Sequence, residues 1–308
     1  MKHKSSINIY LLLFSSVTLS LLLFCSAAQK QDKPVSLKDT FKDKYLIGTA
    51  LNYNQITGKN PKSLKLALEQ FNSITPENIL KWGSVHPKPD KYNFAPVDSL
   101  IKIAEDNNMF LVGHTLIWHS QTPDWVFKDS DGNPLSREKL LQRMKEHIFK
   151  VVGRYKGKIN GWDVVNEAFE DDGKMRQSKW QKIIGNDYME KAFRWAHEAD
   201  LDMLPMPGEN TGADVNLSYE KKEELDPWPN GLPDSMQTKI ADRYAAFFTI
   251  FNKYSDAISR ITLWGVSDAQ SWRNYWPIYK RTAYPLLFDR NLKPKKAFYE
   301  VINTVKEK

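Results

Sequence analysis

The 308 residues are 41% hydrophobic and 26% charged, an ordinary globular balance with length for one large core or two small ones. The formal charge of +7 is interspersed with Asp and Glu and forms no basic stripe, which argues against a nucleic-acid binder. The one cysteine, Cys25, lies in the first 28 residues, so the rest has no disulfide and depends on its core.

Residues 1–28 read as a secretory signal peptide: basic Lys2 and Lys4, an apolar run from 7 to 24, then Ser26, Ala27 and Ala28. The expected domain is therefore 29–308, secreted or periplasmic, and loss of the two lysines lowers the charge from +7 to +5. A transmembrane helix is the other reading of this run. Lipid attachment at Cys25 is a further alternative, opposed by the bulky Phe24 before it, and no other membrane contact is expected.

Beyond a polar stretch from 29 to 43, apolar runs alternate with amphipathic segments, the pattern of repeated strand and helix units. Strands are predicted at 45–51 (YLIGTAL), 72–75 and 109–116 (MFLVGHTL), with helices at 61–71 and 97–105. The clearest helix follows Ser136 as N-cap, with Leu140, Leu141, Met144, Ile148, Val151, Val152 and Tyr155 on one face. A strand at 161–165 and a helix at 188–199 complete half of a (β/α)-barrel. From 205 to 234 the chain is rich in Pro, Gly, Asn and Asp and reads as a long loop. A helix at 235–253 then carries Ile240, Tyr244, Phe247, Phe248 and Phe251 on one face, followed by a buried strand at 258–266 and a helix at 294–305. Five strands are legible where a closed barrel of this class needs eight.

Three predicted strands end in polar and aromatic residues, where a barrel places its chemistry. They are Thr75-Pro76-Glu77-Asn78 with Lys81 and Trp82, the segment GHTLIWHSQTPDW from 113 to 125, and WDVVNEAF from 162 to 169. In Asn166-Glu167 an amide can hold a sugar 2-hydroxyl while the acid protonates a glycosidic oxygen. Taken in isolation, an Asn-Glu pair is more often a helix cap or a surface feature. The ten tryptophans offer flat apolar faces for sugar rings, although large aromatics also dominate cores. His114 and His119 make a poor metal pair, with strand and loop spacing and no third ligand, and neither metal nor cofactor is expected.

In chain order, the strings TPEN..KW, GH.L.WH.Q.P.W, W.VVNEA and WG..D..SW resemble glycoside hydrolase family 10, the last as Trp264-Gly265-Val266-Ser267-Asp268 with Ser271-Trp272. The likeness runs from 37 to 302. It implies a (β/α)8 TIM barrel, retaining hydrolysis of β-1,4-xylan or xylo-oligosaccharides, and no cofactor. By the same resemblance Glu167 is the general acid/base and Asn166 its neighbour on the 2-hydroxyl. Glu77, Asn78 and Lys81 bind the sugar two places from the cleaved bond. His114 and Trp118 stand beside the cleavage subsite, with Trp264 and Trp272 as its aromatic wall and lid.

The chain departs from the family at one point. A retaining glycosidase needs a second carboxylate about 5 Å from the acid, supplied in this family by a Glu on the seventh strand in a string like TELD. Here AHEAD (196–200) runs directly into LDMLPMP (201–207), so the fifth to seventh strands read as deleted between about Ala199 and Asp202. Asp200 falls in the slot of the lost Glu, or is simply the end of a helix. Two functional readings stay open: an endo-1,4-β-xylanase by descent, and a catalytically inactive xylan-binding remnant.

Overall fold

The computed structural model describes residues 35–202, 204–207, 226–276 and 278–306; the signal segment with Cys25 and most of the 205–234 stretch lie outside them. The described strands are β1 (Leu46–Leu51), β2 (Ser73–Pro76), β3 (Phe110–Trp118), β4 (Gly161–Asn166), β5 (Leu204–Pro207) and β6 (Arg260–Leu263). They form one parallel sheet in the order β5-β4-β3-β2-β1-β6. That is the neighbour order of a (β/α) barrel opened between β5 and β6, because the last strand returns to pair with the first.

β2 and β4 are buried at every position, as near-continuous apolar runs in a parallel sheet require. Helices cover the outside: α1 (Leu37–Thr40), α2 (Tyr53–Ile56), α3 (Pro61–Gln70), α4 (Trp82–Val85), α5 (Ala95–Asp106), α6 (Arg137–Arg154), α7 (Lys179–Ile184), α8 (Tyr188–Ala199), α9 (Asp234–Lys253) and α10 (Lys296–Lys306). Ser136 caps α6 as expected, its side chain accepting from the Lys139 N–H, and Leu140, Met144, Ile148, Val151 and Val152 are buried beneath it. Gly113 is dictated by its neighbour: β3 pairs it with Trp162 of β4, and a Cβ there would stand 2.3 Å from the indole.

Three expectations are corrected. The stretch read as a loop from 205 begins with β5, which pairs with β4 from Gly161↔Leu204 onward, so the described strands number six. Its prolines hid it, yet an edge strand tolerates residues that cannot donate to a ladder. The strand expected at 258–266 is only Arg260–Leu263, and all four residues are partly exposed because β1 is its one partner in the sheet order. Phe247, expected on the buried face of α9, is 51% exposed, whereas Phe248 beside it is 1% exposed.

Candidate active site

Because all strands run parallel, their C-terminal ends gather at one edge of the sheet, and the singled-out residues lie there. Glu77 and Asn78 follow β2, His114 and Trp118 belong to β3, Asn166 ends β4 with Glu167 next, and Trp264 follows β6. Trp118 Nε1–H donates to Glu167 Oε2 at 2.9 Å, and His119 Nε2 stands 3.8 Å from the same oxygen. Glu167 has φ +50, in the left-handed region, and its carbonyl accepts from Arg176 Nε at 3.0 Å. Backbone and carboxyl of this acid are therefore held from separate sides.

Lys81 feels the charge of both Glu77 and Glu167. Its Nζ donates to Asn78 Oδ1 at 3.0 Å and lies 4.4 Å from the centre of the Trp118 ring. Burial pulls its ammonium down to about 8, against the opposing pull of the Glu77 and Glu167 carboxylates. Burial likewise pushes the Glu77 carboxyl up, and Lys81 works against that shift. Lys81 itself is buried.

His114 is 5% exposed; its Nδ1 pairs with Asp163 Oδ2 at 2.9 Å, and its ring meets Trp264 edge-on at 4.8 Å. Burial draws this imidazole below its ordinary value despite Asp163, so the neutral ring donates Nδ1–H to the carboxylate. Asn166 Oδ1 is buried with no hydrogen-bond partner among the described residues, an acceptor ready for a ligand hydroxyl. Trp272 opens a short 3-10 turn eight residues after Trp264 and stacks with Arg273 at 4.9 Å.

Sequence reasoning missed Asp163, Arg176 and the approach of His119 to Glu167. A signal existed for Asp163: a charged residue inside the buried run GWDVVN needs a partner, and the β3–β4 register puts His114 opposite it. Arg176 lies nine residues beyond the acid in a loop closed by the Phe169↔Met175 bridge, a juxtaposition no periodicity reports. Trp82 has another place. It is buried and stacks on His147 at 3.7 Å, beneath the site and away from its surface.

Asp200 is the C-cap of α8, 1% exposed, and its Oδ2 accepts from the Gly157 N–H at 3.0 Å. Gly157 lies just before β4 begins, while Glu167 lies just after it ends. Six strand residues at about 3.3 Å each separate the two ends. Asp200 thus joins the opposite end of the sheet, out of reach of the Glu167 carboxyl. Among the described residues, no group of three His, Cys, Asp or Glu is arranged to hold a metal ion.

An acid, an amide, a lysine and indoles thus gather at the C-terminal strand ends of a parallel barrel sector, the edge where (β/α)-barrels place their active sites. The chain belongs to glycosyl hydrolase family 10: the family profile matches residues 36–204 and 210–304, with an interruption that begins inside β5. It is 37% identical to an "Endo-1,4-beta-xylanase A" of Xylanibacter ruminicola over 358 positions, covering 92% of this chain and 97% of that protein. A "Beta-1,4-xylanase" of Dictyoglomus thermophilum is 33% identical over 360 positions, covering 96% and 98%. The solved structure of a GH10 endoxylanase from sugarcane soil metagenome superposes with a TM-score of 0.81 at 36% identity, covering 88% of this chain and 99% of that one. The 358 aligned positions exceed the 308 residues present here, so part of the relative has no counterpart in this chain. The fold is accordingly a TIM-barrel family member with an incomplete barrel.

Proposed function

We propose that the cleft binds β-1,4-xylan or xylo-oligosaccharides and that Glu167 is its general acid/base, as retaining hydrolysis by an endo-1,4-β-xylanase requires. The observation that carries this is the Glu167 carboxyl, fixed at the end of β4 by Trp118 Nε1 beside the buried acceptor of Asn166. In the retaining reaction the acid protonates the glycosidic oxygen while a second carboxylate bonds the anomeric carbon; the acid, now a base, then takes a proton from the water that releases the sugar. Asn166 holds the 2-hydroxyl, Glu77, Asn78 and Lys81 hold the sugar two places away, and Trp264 and Trp272 supply the wall and lid.

A second reading, a xylan-binding protein with little or no turnover, is favoured by the position of Asp200. The one carboxylate that aligns with the missing nucleophile is engaged with Gly157 at the far end of β4. An acid alone leaves the oxocarbenium-like transition state without its covalent partner. A reducing-sugar assay on xylan, run beside a binding assay on the same polymer, separates the two. Turnover that falls about 10²- to 10⁴-fold in Glu167→Gln supports the enzyme; binding with no turnover supports the remnant; neither binding nor turnover removes both. Export belongs to the same proposal, supported by the basic, apolar and small-residue order of 1–28, and mass spectrometry of the mature chain tests it.

A further inference from the structure

Two imidazoles meet beneath the strand ends. His86, the C-cap of α4, and His147, a buried residue of α6, are 5% and 0% exposed, and their Nδ1 atoms stand 3.1 Å apart. The rings are parallel to within 1° with centres 5.3 Å apart, so they meet edge to edge, as an N–H···N bond requires. Trp82 stacks on His147 at 3.7 Å and Tyr92 on His86 at 3.9 Å. The cluster ties α4 and the segment after it to α6.

These contacts fix where the protons are. His86 Nε2 stands 3.0 Å from the Pro89 carbonyl, which can only accept, so Nε2 carries a proton and the neutral ring turns a bare Nδ1 toward His147. His147 then donates Nδ1–H, which leaves its Nε2 bare, buried and without a hydrogen-bond partner among the described residues. A proton added to the closed pair goes to that nitrogen, where no acceptor among the described residues receives it. A second would set two N–H groups against each other across 3.1 Å. Neighbouring charges give the cation little support. Asp90 favours a charged His86 while Arg143 of α6 opposes it, and the one titratable group acting on His147 among the described residues is His86 itself. Glu146, next to His147 in the chain, acts instead on Tyr92 and Arg143. Burial holds both imidazoles below their ordinary value, His147 well below it.

We propose that His86 and His147 form an acid-sensitive latch, closed while both rings are neutral and opened by protonation, which frees α4 from α6. The latch reaches the cleft through the backbone. Lys81 is the N-cap of α4; its carbonyl accepts from the Ser84 and Val85 N–H groups, and the Gly83 N–H donates to the Gln121 carbonyl in the loop after β3. Loosening α4 therefore loosens the segment that presents Lys81. The sign follows from burial: an exposed histidine takes its proton at about pH 6.5, before the closed pair does, so acid favours the open form. The latch is complete above roughly pH 6.5 and is lost as pH falls below it. Uptake of two protons on opening multiplies the opening constant about 100-fold between pH 7.5 and 5.5. The inference is independent of what the cleft binds.

Hydrogen exchange of the full chain, read by mass spectrometry over 82–93 and corrected for the intrinsic pH dependence of exchange, should show that rise of about 100-fold, while 296–306 of α10 changes little. His147→Gln keeps a donor for His86 and cannot be charged, so one proton remains and the rise should shrink to about 10-fold. If that variant fails to fold, nitrogen-15 spectra of the histidine side chains in the parent chain decide. At about pH 6.5, where a free imidazole is half charged, both rings should be neutral, with His86 protonated on Nε2 and His147 on Nδ1. No rise at 82–93, an equal rise at 296–306, a full rise in His147→Gln, or a charged ring in the closed pair at that pH overturns the proposal.

Discussion

Lys81 makes one contribution to the pH dependence expected of the site. With its ammonium pulled down to about 8, it is charged at neutral pH and neutral in mild base, where an ordinary lysine would still be charged. If the charged amine holds a sugar hydroxyl, xylotriose affinity should fall about 10- to 100-fold as pH rises through about 8, on the scale of a charged hydrogen bond. Calorimetry at either side of that pH checks this, and Lys81→Arg should flatten the profile. Stability moves the other way: the unfolded lysine holds its proton longer, so the contribution of Lys81 is complete above roughly pH 10.4 and is lost as pH falls through about 8. Asp163→Ala removes the acceptor of a buried neutral imidazole and should cost about 1–3 kcal/mol in urea unfolding, whereas Asp163→Asn, which keeps an acceptor, should cost less. Motifs disclosed most of these residues because their side-chain types are chemically demanding. The His114–Asp163 pair was less legible, since it depends on the register of two strands 49 residues apart in the chain.

Among the elements, the joint between α8 and β5 separates a structural role from a catalytic one. Asp200→Ala should lower stability by about 1–2 kcal/mol through loss of the Gly157 contact and the helix terminus, and should leave both xylotriose affinity and any measured turnover unchanged. A loss of turnover without a loss of stability would return Asp200 to the chemistry. At the β3–β4 contact, Gly113→Ala would drive a methyl into the Trp162 ring, and a cost of about 1–3 kcal/mol or more should appear as a lowered Tm. Helix α6 was readable down to its cap because local chemistry and a wide apolar face agree along 18 residues. Strand β5 was not, since four residues with two prolines carry no period, and only the presence of β4 makes them a strand.

For the whole molecule, the unclosed sheet is the dominant fact. A barrel without its closing strands has edges that the family fold lacks. Thermal unfolding should therefore be of modest cooperativity and begin at a low temperature. Inserting, between Ala199 and Asp202, the part of the Xylanibacter ruminicola protein that has no counterpart here should do two things together. It should raise the Tm, and raise xylan hydrolysis by orders of magnitude as the second carboxylate is restored. Hydrolysis that fails to rise in a folded, monomeric insertion variant would place the defect in the residues already present.

By itself the sequence determined the (β/α) alternation and the family, and it singled out Glu167, because strand runs, helix faces and the strings of residue types that mark a family are local properties written within a few turns of chain. It also disclosed the missing block, through the abrupt passage from AHEAD to LDMLP. Only the tertiary structure decided that Asp200 belongs to the far end of the sheet, that 204–207 pairs beside β4, and that Phe247 faces outward while Phe248 faces in. Those three depend on which elements are neighbours in space. An apolar residue on a helix records only that a partner suits it, and whether that partner exists is set by the rest of the fold.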